Sequence, residues 1–361
     1  MKKHISFPSI EQFRNVIANI NRQFNFVGLD ENGEAIYDQS LQKPILTFKG
    51  TVKLHGTNAG VCFNNISGFW AQSRENIITP EQDNAGFAFF AESNKREFLG
   101  FIDIILRDNN LDSNTSTVSI YGEWCGGNIQ KGVGITNLEK SFFIFGVKIT
   151  PIVDPNDAEA VKANPAYWVD HSNLRFPEKK IYNINDFQTW TIDIDFNMPQ
   201  LIQNKLSELT IAVEDECPVA KAFGFSGIGE GIVFSYMTDK GEVYRFKSKG
   251  EKHAGASKVR TLKPVDDAKI NKIIETVGKV TPQWRLEQML EKQFDLINGG
   301  QIDVKKLGDY IKLVMNDILK EDIDVLTEAS VEPKDIGKYV SETARKYFFT
   351  RQNEQIIGTS I

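Results

Sequence analysis

The chain has 361 residues, 41% of them hydrophobic and 25% charged, with a formal net charge of -6. That is length for two or three domains with cores of their own, in the composition of an ordinary globular protein. No apolar run approaches a membrane span, and no apolar stretch of signal-peptide length follows the basic start Met1-Lys2-Lys3. Cys62, Cys125 and Cys217 are too scattered for a disulfide framework or a zinc site, so a reduced, cytoplasmic protein is expected. The acidic balance argues against indiscriminate coating of nucleic acid but leaves room for a local basic groove.

Ser9 to Ile20 has the spacing of a short amphipathic helix, with Ser9 as its cap and Glu11 and Gln12 in its first turn. Asp30-Glu31-Asn32-Gly33 reads as a hairpin turn ahead of Ile45-Leu46-Thr47-Phe48. In Thr51-Val52-Lys53-Leu54-His55, apolar and polar residues alternate as on a strand with one buried face. The run breaks at Gly56, where a missing side chain lets the backbone turn and approach a ligand. A lysine at such a strand end is ordinarily a solvated surface residue. Ala59 to Phe63 reads as the returning strand and Gly68 to Arg74 as the next. The guanidinium of Arg74 either reaches a phosphate or carboxylate or lies exposed.

Ala85 to Ile105 is apolar at helical spacing, and Thr117 to Tyr121 is a strand ending in Gly122-Glu123. Cys125, beside Glu123, is expected to be a half-buried structural thiol rather than a nucleophile. Gly126 to Val133 is glycine-rich without phosphate-loop spacing. Ser141 to Ile149 alternates so that Phe143 and Phe145 share a face, where core packing is the default and stacking on a purine the sharper alternative. Asp154 to Asn185, with Pro155, Pro165 and Pro177, reads as an irregular insertion around a short helix; Asp186 to Leu209 mixes strand and helix signals. Glu230 to Tyr236 and Glu242 to Lys247 flank the turn Asp239-Lys240-Gly241. Alternation there puts Tyr244 and Phe246 on one face, and Val243, Arg245 and Lys247 on the other. The most basic window follows, with Lys247, Lys249, Lys252, Lys258, Arg260 and Lys263 against Glu251 alone. Beyond Pro264 the texture becomes helical: Lys269 to Val277, Gln283 to Asn298, Val304 to Lys320 and Asp335 to Gln352. A domain boundary is therefore expected there, between residues 1–264 and 265–361.

Four segments, taken in order, carry charge at the edge of an apolar strand: Lys53-Leu54-His55-Gly56-Thr57-Asn58, Tyr121-Gly122-Glu123, Glu230-Gly231-Ile232-Val233 and Lys247-Ser248-Lys249. Together they resemble motifs I, III, IV and V of the covalent nucleotidyltransferases, the polynucleotide ligases and mRNA capping enzymes. The resemblance runs from about Phe7 to Lys263. His55 and Asn58 match the motif I variant of the RNA ligase 2 family, where DNA ligases and capping enzymes have aspartate in place of the histidine. Ser73-Arg74 is similar to that family's motif Ia, Ile129-Gln130-Lys131 to the stretch after its motif III, and Phe145 to the aromatic of motif IIIa. The chain departs from the pattern at Gly146, where the family usually has aspartate, and at Val52, where relatives often carry glutamate. The helical tail also resembles this branch, since DNA ligases and capping enzymes carry a strand-rich OB domain there.

The resemblance implies an α+β fold: a nucleotidyltransferase (ATP-grasp-like ligase) domain of antiparallel sheets with flanking helices, plus an all-helical C-terminal domain that binds nucleic-acid ends. It implies a monomeric, ATP-dependent RNA ligase with Mg²⁺ or Mn²⁺, sealing 3′-hydroxyl/5′-phosphate breaks in RNA or RNA-containing duplex, as in RNA repair or editing, with no membrane partner. Lys53 would attack the α-phosphorus and carry AMP. A lysine must lose its proton to act as a nucleophile, and a nearby cation favours that loss, so Lys247 and Lys249 suit both this and charge on the phosphate. Mg²⁺ keeps several waters, so one or two carboxylates suffice; Glu230 is the first choice, and Glu123 would hold the ribose hydroxyls and assist. His55 would position phosphate or an RNA end, or serve a structural role, and Asn58 would orient the metal's water shell. Thr51, Val52, Arg74 and Phe145 complete the expected nucleotide site. The alternatives are a capping-type guanylyltransferase or DNA ligase, and a non-catalytic RNA-binding relative.

Overall fold

A computed structural model describes residues 2–29, 33–38, 41–83, 85–250 and 266–358. The chain forms two compact units, the first made of Met1–Val16, Ile45–Ile194 and Asn204–Lys263 and the second of Ile17–Pro44, Asp195–Gln203 and Pro264–Ile361. The second unit is thus discontinuous, whereas the sequence suggested one cut near residue 264. The fold is α+β, as expected.

Two sheets make the first unit. The four-stranded sheet runs in the order Thr189–Asp195, Ile45–Lys53, Gly231–Met237, Val243–Lys249. Strict alternation in Ile45–Lys53 sends Leu46, Phe48 and Val52 into the core and leaves Thr47, Lys49, Thr51 and Lys53 on the other face. Phe48, Phe234 and Phe246 pack beneath, Phe234 and Phe246 with ring centroids 5.1 Å apart. The register sets Lys53, Gly231 and Lys249 in one row across three strands, and Thr51, Val233 and Lys247 in the next. Residues separated by almost two hundred positions therefore become neighbours.

The seven-stranded sheet runs Ile181–Asn183, Ser141–Pro151, Ser116–Cys125, Thr57–Asn64, Gly68–Ser73, Ile77–Ile78, with Tyr167–Val169 also paired to Ser141–Pro151. Its pairs are antiparallel except Ile181–Asn183, which lies parallel to Ser141–Pro151. Ser116–Cys125 is buried at every residue but Glu123. Pairing places Asn58 opposite Glu123. Helices Phe87–Ser93 and Lys95–Asp108 cover one face with Phe87, Phe98, Ile102 and Ile105. The single helix expected over Ala85 to Ile105 is therefore two, parted at Asn94, whose side chain bonds the Phe90 carbonyl instead of continuing the helix.

Three further expectations need correction. The first helix begins at Phe13, so Ser9 is not its cap. The stretch from Asp154 to Asn185 does contain a short helix, Ala158–Ala163, but also the two sheet strands Tyr167–Val169 and Ile181–Asn183. Cys125 is fully buried rather than half-buried, and burial pushes its thiol well above the ordinary range. Of the turn expected at Asp30-Glu31-Asn32-Gly33, residues 30–32 lie outside the described residues, though Phe26–Leu29 and Ala35–Tyr37 on either side pair antiparallel.

The second unit carries helices Asp267–Val280, Gln283–Phe294, Leu307–Glu321, Ile323–Glu328 and Pro333–Gly358 around Leu290, Tyr310, Ile336 and Phe348. Arg285, buried among them, is held by Asp317 at 2.8 Å and by Asp322. Among the described residues no helix is long and apolar enough to cross a membrane.

Candidate active site

The two sheets of the first unit face a cavity of about 740 Å³. Every residue of the expected catalytic and nucleotide site lines it: Thr51, Val52, Lys53, His55, Asn58, Arg74, Glu123, Phe145, Glu230, Lys247 and Lys249. Glu230 is its electrostatic centre. It immediately precedes Gly231–Met237 and is 3% exposed, with Lys53 Nζ at 2.6 Å and His55 Nδ1 at 3.3 Å from Oε2, and Lys249 Nζ at 2.6 Å from Oε1. Burial alone would raise the Glu230 carboxyl, but Lys53 and Lys249 outweigh it and hold the group below its ordinary value. Lys247 is lowered, by burial first and then by Lys249, Lys53 and Arg74.

Gly56 has a reason different from the one expected. A Cβ there would lie 2.4 Å from the Trp124 carbonyl oxygen and 2.6 Å from Cys125 Cβ, so the glycine serves contact between strands. The Gly56 N–H donates to Glu123 Oε1 at 2.8 Å and so fixes that side chain. Burial dominates at Glu123, raising it to about 7 against the pull of Lys53, the Gly56 N–H and Arg74. The same cavity thus holds a glutamate kept below its ordinary value and another raised above it. Arg74 is exposed just past its strand and donates to Ser9 Oγ at 3.2 Å.

Phe143 and Phe145 differ in burial. Phe143 is fully buried against Tyr182, Phe187 and Phe223. Phe145 is half-buried at the cavity wall, 5.0 Å from the ring of Phe7. Phe7 comes from an N-terminal strap tied down by Ile5, which exchanges hydrogen bonds with Gln72 and accepts from Tyr121. The reading from sequence overlooked Phe7 and Trp168. Trp168 carried no signal, because it sits in the segment read as irregular. Arg245 carried one: it lies two residues before Lys247 on the polar face of its strand. Lys252, Lys258, Arg260 and Lys263 lie outside the described residues.

For a divalent cation the fit rests on Glu230 and Glu123, both oxygen donors in the cavity, which is the donor type Mg²⁺ or Mn²⁺ takes. Among the described residues no three or more His, Cys, Asp or Glu side chains are grouped as a metal cage.

Two antiparallel-rich sheets thus close on Lys53, the buried carboxylate of Glu230 and the further lysines Lys247 and Lys249 on an α+β scaffold. Residues 47–249 match the family model for RNA ligase, and the chain belongs to that family. Solved structures similar to it include Naegleria gruberi RNA ligase with PPi, 18% identical over 69% of this chain and 57% of that chain, with a TM-score of 0.38. A mutant of the same ligase with ATP and Mn is 16% identical over the same shares, with a TM-score of 0.40. Another, with AMP and Mn, is 16% identical over those shares, with a TM-score of 0.38. The chain spans 57% of the length of these structures, less than two thirds. No curated protein matches it.

Proposed function

We propose that the protein is an ATP-dependent RNA ligase that seals 3′-hydroxyl/5′-phosphate breaks through a lysyl-AMP intermediate on Lys53. The observation that supports this most is the convergence of Lys53, His55 and Lys249 on Glu230 within one cavity of the family's matched region.

In the first step the Lys53 amine attacks the α-phosphorus of ATP. A P–N bond forms, the P–O bond to pyrophosphate breaks, and the ammonium proton is lost. The Lys53–Glu230 pair must part for the amine to turn to phosphorus. Lys247 and Lys249 then face the negative charge developing on the phosphate oxygens. In the second step a 5′-phosphate oxygen of the RNA takes the adenylate and Lys53 leaves. In the third a 3′-hydroxyl attacks that phosphate and AMP departs. Glu123, held by the Gly56 N–H, would contact the ribose hydroxyls, His55 would position phosphate or an RNA end, and Asn58 would orient the metal's water shell. Glu230, with Glu123 assisting, would hold Mg²⁺ or Mn²⁺, which when bound neutralises phosphate charge.

Residues 1–264 would then be the adenylyltransferase part and 265–361 the part that meets nucleic-acid ends. The substrate class is RNA or RNA-containing duplex, in repair- or editing-type chemistry. A monomer in a reducing, cytoplasmic setting fits three free, buried cysteines.

The test is incubation with ATP or GTP and divalent metal, followed by intact-mass and peptide analysis. An AMP adduct on Lys53, absent in Lys53→Ala with folding intact, is expected. A GTP-only adduct, or one that survives the substitution, sinks the reading. Matched nicks differing only in RNA or DNA on the 3′-hydroxyl side then define the substrate.

A further inference from the structure

Resting on the nucleotide reading just given, a second question is which group identifies the base. The cross-strand rows act as a ruler. Lys49, Ser235 and Arg245 form the row two residues beyond Thr51–Val233–Lys247 and four beyond Lys53–Gly231–Lys249. Four residues of strand span about 13 Å, a reach suited to a nucleotide laid from phosphorus to the far edge of its base. The middle row and the wall opposite offer apolar surfaces, Val233 and Phe145, that can flank a purine but cannot hydrogen-bond its edge. Val52, also in the lining, brings no polar side chain.

Arg245 is the cation of that far row whose charge rests on ring faces. Its guanidinium carbon lies 3.9 Å from the centroid of Trp168 and 5.2 Å from that of Phe7. Among the described residues no carboxylate pairs with it. Asp170, also in the lining, instead accepts the hydroxyl and backbone N–H of Ser172. Burial lowers Arg245 to about 10, with no neighbouring charge opposing the shift. Stacking on an indole leaves the in-plane N–H groups of a guanidinium unspent. A half-buried arginine held against ring faces is costly unless a further acceptor completes it.

We propose that Arg245 reads the purine edge of the bound nucleotide, donating from its guanidinium to ring nitrogen N1 or N7, with Trp168 holding the guanidinium plane in place. Arg245 is then a specificity residue of the nucleotide site, separate from the lysines that act on phosphorus.

The test reads binding apart from transfer. AMP, 1-deaza-AMP and 7-deaza-AMP are titrated into wild-type protein, Arg245→Met and Arg245→Lys, with thermal unfolding as the folding control. Expected is a loss of AMP affinity of about tenfold or more in Arg245→Met, the scale of one charge-assisted hydrogen bond. One of the two deaza analogues should bind wild type and Arg245→Met alike, because it lacks the acceptor. Arg245→Lys, which keeps the charge but not the planar fork, should retain part of the affinity, and it carries the test if Arg245→Met fails to fold. Equal AMP affinity in all three proteins, or equal losses for AMP and both analogues, would overturn the proposal, as would wild-type protein that does not bind AMP. An AMP adduct absent from Lys53-intact protein would instead remove the ligase reading, while this binding pattern still decides Arg245.

Discussion

The two ends of the cleft solve the problem of buried charge in opposite ways. At the lysine end, Lys53, His55 and Lys249 converge on one carboxylate, so any phosphate or metal must compete with partners already in place. At the aromatic end, Arg245 lies against the faces of Trp168 and Phe7, which offset its charge only weakly and leave its donors unspent. The first arrangement suits a group that must let go and move during reaction. The second suits one that waits in a fixed plane for a partner. Substitutions at the lysine end should therefore alter rate, and those at the aromatic end affinity.

The largest expected effect is at Glu230. Glu230→Gln removes the charge that Lys53 and Lys249 share, and adduct formation should fall by about 10²–10³-fold, the scale of losing a preorganised electrostatic group. Single-turnover adenylylation measures it, and a loss under about fivefold would erase the distinction between the two ends. Lys249→Met should cost about 10²-fold in the same assay with little change in ATP affinity, since in the proposed mechanism its ammonium acts on charge that develops at phosphorus.

Next comes a difference between the glutamates themselves. Glu123 is raised to about 7 from an ordinary 4.5, so its contribution to stability is full below about pH 4.5 and is lost as pH rises through about 7. Glu230 is lowered, so its contribution is present above the ordinary value and lost as pH falls through its folded value. Glu123→Gln should flatten the neutral limb of a stability–pH profile, by at most about 3 kcal/mol for a shift of this size, while leaving the acid limb. A profile unchanged by the substitution would refute the assignment. A smaller effect is expected for Trp168→Leu: a several-fold rise in the ATP concentration for half-maximal adenylylation, with the maximal rate kept. Smallest, Ala at Lys258, Arg260 and Lys263 should weaken RNA binding and lower its salt dependence by about one unit of slope for each phosphate no longer neutralised.

The lysine end was legible in advance because its chemistry restricts residue type and place. In the proposed reaction, a nucleophilic amine, a metal-fit carboxylate and phosphate-facing cations would sit where strands open onto the cleft. Lys53, Glu123, Glu230 and Lys247–Lys249 announce themselves at the ends of alternating runs. The aromatic end was not legible, because Phe7 and Trp168 are ordinary apolar residues in segments without periodicity. Only pairing of Tyr167–Val169 along Ser141–Pro151 brings Trp168 to the cleft. Ser9 looked like a cap because a serine before apolar spacing is a local signal, whereas the helix start at Phe13 is settled by Phe13 packing on Phe246, far along the chain.

By itself the sequence determined which atoms can do chemistry and which strands have a buried face, since side-chain type and a period of two are local properties. Tertiary structure decided which of those strands lie side by side. Register between strands distant in sequence put Lys53, Gly231 and Lys249 in a row and turned Gly56 into a contact with Trp124 and Cys125. Such pairings depend on the shape of the whole core, which no single segment encodes.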